Sequence, residues 1–169
     1  MNSNDPFGIT AALEWLAERF ADWRLVWWGA FPKRIQMDGY SCGACAIWSV
    51  LRAQGMHRSF ARIKRELGIT PEEGTSFPRM IRLLRRSGLR VGMYYRGKRI
   101  RDLERWLLRG PVIVHLDNNH VAVAHRMDRW HVYLADSASL NPGLTRLSRR
   151  EFRRRWSRSA IGIRSLLVE

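Results

Sequence analysis

The spacing of apolar residues changes once along this chain, near Leu89, and this change limits the folds that it can adopt. Upstream, apolar residues recur at helical spacing in three segments that each end close to a glycine, residues 44–53, 59–67 and 76–87. Downstream, short β-rich runs dominate, residues 89–95, 112–116, 120–125, 130–135 and 161–168. This order predicts an α+β fold with an antiparallel sheet, because a parallel sheet needs helices and strands in alternation.

Two further helices are predicted within the β-rich half. The first covers residues 100–108. The second covers residues 148–156, where Ser148 and Glu151 have the spacing of a capping box. In this Arg-rich helix Phe152 and Trp156 are four residues apart, so we expect both rings to face inward.

Size and composition are typical of one globular domain. The chain has 169 residues, of which 46% are hydrophobic, and its eight Trp supply core material that disordered chains lack. No repeat or Pro/Gly-rich linker divides it. We distinguish an N-terminal extension, residues 1–35, packed on the same domain as residues 36–169. The extension is predicted to contain a helix from Pro6 to Asp22 and a Trp-rich segment, residues 23–31.

The first residues do not have the features of a targeting segment. Residues 1–5 lack the basic and apolar regions of a signal peptide. The longest uncharged apolar run nearby, residues 25–31, is far shorter than the roughly 20 residues that cross a bilayer. We therefore expect a cytoplasmic protein without a transmembrane segment.

The charge is strongly basic, with 30 Lys and Arg against 15 Asp and Glu. Residues 52–110 alone carry 16 basic and 5 acidic side chains, a net charge of +11. Two interpretations stay open. The charge either attracts nucleic acid, anionic lipid or an acidic peptide, or it reflects arginines on solvated helix faces. Since no RRM, zinc-finger or KH motif accompanies it, we do not expect nucleic acid as a partner.

The two cysteines, Cys42 and Cys45, allow three interpretations. A Cys-x-x-Cys redox pair would suit a helix N-terminus, but that motif normally follows the first strand of a βαβ unit, which is not predicted here. A zinc site would need two more ligands, and His115 and His120 alternate faces in a strand region. The third interpretation is a nucleophilic Cys42, with Cys45 in the core one turn later.

A nucleophilic cysteine makes demands that other residues can meet. The helix dipole would stabilise the thiolate, and Gly43 would leave room for the substrate backbone. His120 opens one strand and Asp136 ends the next, so an antiparallel pair could bring base and orienting acid together. The amide of Gln36, six residues before Cys42, could reach an oxyanion formed there.

These residues resemble a known family. Gln36-x₅-Cys42-Gly43, with the helix that follows, is similar to the cysteine helix of peptidase family C39, papain-like domains that cut bacteriocin leader peptides after a double glycine. The similarity extends over about residues 36–168, through six further segments: residues 74–76, 86–89, 110–115, 119–123, 134–137 and 148–156. Ser41, Asn119 and Ser137 stand where the family usually has Asp, Gly and Pro, and none of these departures removes a catalytic atom.

The resemblance implies a papain-like fold, in which a Cys at a helix N-terminus packs on a C-terminal antiparallel sheet. It implies Cys42 as nucleophile, His120 as general base and then acid, Asp136 as the group that orients His120, and Gln36 as oxyanion donor. No cofactor or metal is implied. The implied partners are a peptide or protein substrate, with an acidic segment to match the basic region, and a transporter or precursor peptide.

Two other functions remain as alternatives. A papain-like domain can transfer the acyl group to an amine or thiol, or act as a toxin or effector on a protein substrate. Alternatively, the chain is a basic nucleic-acid or partner-binding module with an inert triad.

Overall fold

A computed structural model of the chain describes residues 31–94, 99–138 and 145–164. The helix predicted from Pro6 to Asp22 lies outside these ranges, as does almost all of the Trp-rich segment that follows it. None of the helices in the described ranges is long and apolar enough to cross a membrane.

The described residues form five helices. They are α1 (Cys42–Ala53), α2 (Phe60–Leu67), α3 (Phe77–Arg86), α4 (Ile100–Leu107) and α5 (Arg149–Arg155). Helix α2 begins where the side chain of Ser59 accepts the N–H of Arg62, and ends at Gly68, whose φ of 58° suits a residue without a side chain. These helices lie close to the predicted ones, because their apolar spacing and end residues are regular.

Six antiparallel strands within the described ranges form one sheet. They are β1 (Arg90–Tyr94), β2 (Val112–Leu116), β3 (His120–Met127), β4 (His131–Ala135), β5 (Thr145–Ser148) and β6 (Trp156–Arg164), in the spatial order β1-β6-β2-β3-β4-β5. The turn between β2 and β3 places Asp117 and Asn118 at φ of 51° and 64°. Asp and Asn tolerate this left-handed region, which tight hairpins require.

The sheet has a hydrophobic core on each face. Helices α1, α2 and α3 cover one face, and α4 and α5 cover the other. Strand β2 shows the alternation, because Ile113 points into the first core while Val112 and Val114 point into the second. Helix α1 lies deepest, since ten consecutive residues, Cys42 to Leu51, are buried.

Two features differ from the sequence prediction. Strand β5 was not predicted, and Trp156 was wrongly placed on the last helix. That helix ends at Arg155, and Trp156 begins β6, opposite Leu116. The apolar alternation at the start of β6 is hidden by a register shift and by Arg158, whose φ is 59°. The two rings still meet, with the centroids of Phe152 and Trp156 5.4 Å apart.

Gly43, in the first turn of α1, is in close contact with Thr75. A Cβ atom at Gly43 would lie 2.6 Å from Cβ of Thr75 and 2.8 Å from its Cγ2. The space beside Gly43 that was predicted to admit the substrate backbone is thus filled by the segment that precedes α3. The absence of a side chain at Gly43 lets this segment pack against the start of α1.

We expect Gly43→Ala to lower the free energy of unfolding by about 1–3 kcal/mol, as overpacking does, despite the better helix propensity of Ala. Urea unfolding of the variant would measure this loss. Gly39→Ala is the matched control, since nothing lies within 4 Å of a Cβ atom there. Equal stability of the two variants would contradict the packing argument.

Candidate active site

Cys42 is the first residue of α1 and lies at the edge of the buried region, with 9% of its surface exposed. The first N–H groups of a helix have no partner within it and carry partial positive charge, so they favour a negative group beside them. The loop before the helix is fixed by Asp38, whose Oδ1 accepts the N–H of Ser41 at 2.7 Å and that of Tyr40 at 3.1 Å. The start of α1 is therefore held rigidly.

His120 and Asp136 meet because their strands are neighbours. His120 opens β3, and Asp136 follows the last residue of β4, which pairs with Val123 near the start of β3. Nε2 of His120 lies 2.6 Å from Oδ1 of Asp136, which also accepts the N–H of Ala138 at 3.0 Å. The thiol of Cys42 lies close enough to His120 to raise the pKa of its imidazole. The structure thus brings Cys42, His120 and Asp136 together.

The pKa values of His120 and Asp136 are displaced in opposite directions. Burial alone would lower the pKa of His120, but hydrogen bonds to Asp136 and Cys42, together with their charges, raise it to about 9. Burial alone would raise the pKa of Asp136, but the hydrogen bond and charge of His120, with smaller effects of Ala138 and Lys33, hold it below its ordinary value. At neutral pH the pair is an imidazolium beside a carboxylate.

This pair makes stability depend on pH. Because folding raises the pKa of His120, its contribution is complete below the ordinary value of about 6.5 and is lost as pH rises through about 9. Because folding lowers the pKa of Asp136, its contribution is present above its ordinary value and is lost in acid. The pair therefore contributes most between mildly acidic and neutral pH.

Gln36 forms hydrogen bonds with two segments of the site, the residue that follows Asp136 and the loop that precedes Cys42. Its backbone N–H donates to the carbonyl of Ser137 at 3.0 Å, and its Oε1 accepts the hydroxyl of Ser137 at 2.7 Å. Its Nε2 donates to the carbonyl of Asp38 at 2.9 Å. An amide nitrogen carries two N–H groups, and Asp38 accounts for one of them. Gln36 thus connects the residue after Asp136 with the loop that leads to Cys42.

The role of Ser137 in this arrangement was not predicted from the sequence, where Ser137 is only a departure from the Pro that the resembling family has. A proline has no hydroxyl, so the bond to Oε1 of Gln36 depends on this departure. No spacing rule could have found it, because the two residues are 101 positions apart.

Cys45 has a different environment from Cys42. It is 1% exposed, and burial raises the pKa of its thiol to about 12, even though the charge of Arg34 opposes the shift. Both cysteines are free. A redox pair needs a thiolate that can attack, and a thiol so buried does not supply one. These properties suit the interpretation of Cys45 as a core residue.

Four histidines serve elsewhere in the fold: His57, His115, His125 and His131. His115, on β2, lies beside the ring of Phe77, with centroids 5.8 Å apart, and burial lowers its pKa. His125 stacks on Phe31 at 4.9 Å. Within the described ranges, no three His, Cys, Asp or Glu side chains are grouped in a way that could hold a metal ion.

Comparisons with known proteins agree with this architecture. The profile of the Peptidase C39 family matches residues 31–165. No curated protein matches the chain. Among solved structures, a double glycine motif protease from an AMS/PCAT transporter, in complex with the leader peptide, is 21% identical, with a TM-score of 0.68 over 79% of this chain and 91% of that one.

Two other solved structures are similar. The peptidase domain of Streptococcus ComA, a bifunctional ABC transporter of a quorum-sensing pathway, is 18% identical, with a TM-score of 0.65 over 78% of this chain and 96% of that one. The N-terminal peptidase C39 like domain of a toxin secretion ATP-binding protein from Vibrio parahaemolyticus is 11% identical, with a TM-score of 0.60 over 76% and 99%. The predicted α+β fold, with helices packed on an antiparallel sheet, is confirmed.

We expect His120 to titrate near pH 9 in the folded protein. Asp136→Asn removes the charge and the carboxylate acceptor, so it should move this pKa down towards 6.5. Cys42→Ala should cause a smaller decrease. Imidazole signals in two-dimensional NMR, assigned through His120→Gln, would measure both shifts.

Asp128→Asn is the control for that titration, because Asp128 lies near His131, 3.7 Å from its Nδ1, rather than near His120. It should leave the titration of His120 unchanged. A pKa of His120 that stays the same in Asp136→Asn would show that the carboxylate does not control the imidazole.

Proposed function

Since the chain belongs to the peptidase C39 family and is a cysteine peptidase by that membership, we propose that Cys42, His120, Asp136 and Gln36 carry out its chemistry. The observation that supports this assignment best is the 2.6 Å contact between His120 and Asp136, with the thiol of Cys42 near enough to raise the pKa of the same imidazole. A nucleophile, a base and a group that orients the base are the parts that covalent hydrolysis of an amide requires.

His120 begins the reaction as an imidazolium. Its Nε2–H is donated to Asp136, and the proton on Nδ1 is the one that the Cys42 thiol has given up. The raised pKa of His120 favours this transfer and produces a thiolate beside an imidazolium. The sulfur attacks the carbonyl carbon of the substrate, and the electron pair of the C=O bond moves to its oxygen.

The negatively charged oxygen formed from the substrate carbonyl must be stabilised by hydrogen-bond donors that are already in position. We assign the backbone N–H of Cys42, which lies among the unpaired groups at the start of α1, and the second N–H on Nε2 of Gln36. Collapse of the oxyanion breaks the C–N bond, and Nδ1 of His120 gives its proton to the departing amine. A thioester to Cys42 remains.

Water completes the cycle. His120, now neutral, takes a proton from a water molecule as the oxygen attacks the thioester carbonyl. The C–S bond breaks, the sulfur regains a proton from His120, and the product leaves with a new carboxyl group. Asp136 stays ionised throughout and stabilises the imidazolium each time it forms.

The substrate that we propose is a leader peptide with two glycines before the cleaved bond. Cys42 is only 9% exposed, and its neighbour Gly43 is packed against Thr75, so the approach to the sulfur is narrow. Residues without side chains fit such an approach. Solved relatives include a double glycine motif protease bound to its leader peptide, and we propose a precursor peptide and its transporter as the partners here.

The test is cleavage of a synthetic peptide with a Gly-Gly site, followed by mass spectrometry. Cys42→Ala should lose cleavage down to the uncatalysed level. Cys45→Ala removes the same atom from a core position and should keep most of the activity. A Cys42→Ala variant as active as the parent would overturn the assignment. Addition of an amine to the product in place of water would identify an acyl transferase.

Ser137→Ala tests how Gln36 is positioned. Loss of one hydrogen bond, about 0.5–1.5 kcal/mol, should lower kcat by roughly twofold to tenfold with little change in KM, and Ser137→Thr should restore it. Gln36→Ala should lower kcat by about 10²–10³-fold. In the Gln36→Ala background Ser137→Ala should have no further effect, because it acts through the same amide. Additive losses would contradict this coupling.

A further inference from the structure

A second concave region lies on the opposite face of the sheet from α1. It is a groove of about 240 Å³ between the paired strands β1 and β6 and the C-terminal end of α4. Strand β2 separates β6 from β3, where His120 lies, so the groove is distinct from the candidate active site. The chemistry proposed for Cys42 does not use it.

The floor of the groove is bare backbone. Gly92 on β1 and Gly162 on β6 are directly opposite each other in the register, so neither strand places a side chain there. The flanking residues Val91 and Ile163 point to the other face and pack in the core under α1. Trp106 of α4 forms a wall of the groove. A flat group can therefore lie against the peptide backbone beside an indole ring.

Arginines surround this floor. Arg90 and Arg164 are also directly opposite each other, two residues from the glycine pair and on the same face, and Arg109 lines the groove after α4. All three are exposed. Like charges at opposed positions destabilise an antiparallel pair, so this arrangement has a cost that an anion would remove.

No carboxylate within the described ranges forms an ion pair with any of these three arginines. Elsewhere the protein does pair its arginines, as Arg149 pairs with Glu104 at 2.8 Å and Arg155 with Asp117 at 2.8 Å. The groove thus keeps three guanidinium groups around one small space. Guanidinium groups bind phosphate through paired N–H donors, and they stay charged at all accessible pH values.

We propose that this groove binds a phosphate-bearing ligand of the nucleotide class, with its phosphate between Arg90 and Arg164 and its planar ring beside Trp106. The volume of about 240 Å³ lies below the roughly 300–1,000 Å³ of pockets that enclose drug-sized ligands, so one mononucleotide would fill the groove and leave part of itself in solvent. Base–aromatic stacking and arginine–phosphate contacts are the two interactions by which proteins hold such molecules. The proposal does not depend on the function proposed for Cys42.

Isothermal titration of the full chain with AMP, ribose 5-phosphate and adenosine tests both halves of the ligand. AMP should bind, with an affinity that falls as salt increases. Ribose 5-phosphate, which lacks the ring, should bind roughly tenfold more weakly, and adenosine, which lacks the phosphate, should show no binding. Adenosine binding as tight as AMP would overturn the role of the arginines.

The matched variants separate a local site from overall charge. Arg90→Gln with Arg164→Gln should abolish AMP binding, whereas Arg101→Gln, at an exposed position on α4 outside the groove, should leave it intact. Cys42→Ala should also bind AMP normally, which keeps this result independent of peptidase activity. Arg109→Gln removes only the third arginine. It should weaken AMP binding without abolishing it, because Arg90 and Arg164 stay in place.

Thermal unfolding adds an independent measurement. The double variant should unfold at a higher temperature than the parent without ligand, because the opposed charges are gone, and AMP should raise the Tm of the parent alone. Absence of AMP binding, or binding unchanged in the double variant, would overturn the proposal. So would tighter binding of an oligonucleotide or a polyglutamate peptide through the same arginines, because it would identify a macromolecular partner.

Discussion

The burial of α1 against the sheet is the constraint on which the rest of this structure depends. Ten consecutive buried residues fix the helix in position and in rotation, and its first turn comes to lie where β3 begins and β4 ends. A thiol at the first residue of this helix therefore meets an imidazole on the sheet without any flexible element between them. The conformational entropy lost in ordering the site is offset by the same apolar contacts that stabilise the fold.

In addition to this apolar packing, hydrogen bonds fix the segments that surround the site. Asp38 ties the loop before α1, and Gln36 joins that loop to Ser137 through both its backbone and its side chain. Ser137 follows Asp136, so the segment after β4 holds His120 and Gln36 at the same time. The carboxylate of Asp136 and the amide of Gln36 are thus coupled through adjacent residues, although they lie 100 positions apart in the chain.

The sequence predicted most of the helices and the sheet, because apolar spacing and end residues are strong local signals. It could not predict β5, a four-residue strand in which only Leu147 is buried, nor the true start of β6, where small and polar residues and Arg158 interrupt the alternation. Cys42, His120, Asp136 and Gln36 were named from residue type, order and resemblance. The hydroxyl of Ser137 and the charge of Lys33 near Asp136 depend on tertiary distances, which no local pattern encodes.

The strand order has a consequence for how the chain is made. Strand β1 pairs with β6, and β6 also lies between β1 and β2, so among the described strands β1 has no neighbour until β6 has left the ribosome. Synthesis of residues 31–155 can complete α1 and the β2–β3–β4 hairpins, while β1 and one flank of β2 still expose their hydrogen-bonding edges. The nascent protein thus passes through a stage in which contacts between distant residues have not yet formed. An unpaired strand edge is then open to other chains, so aggregation is most probable at this stage and binding of a chaperone protects most.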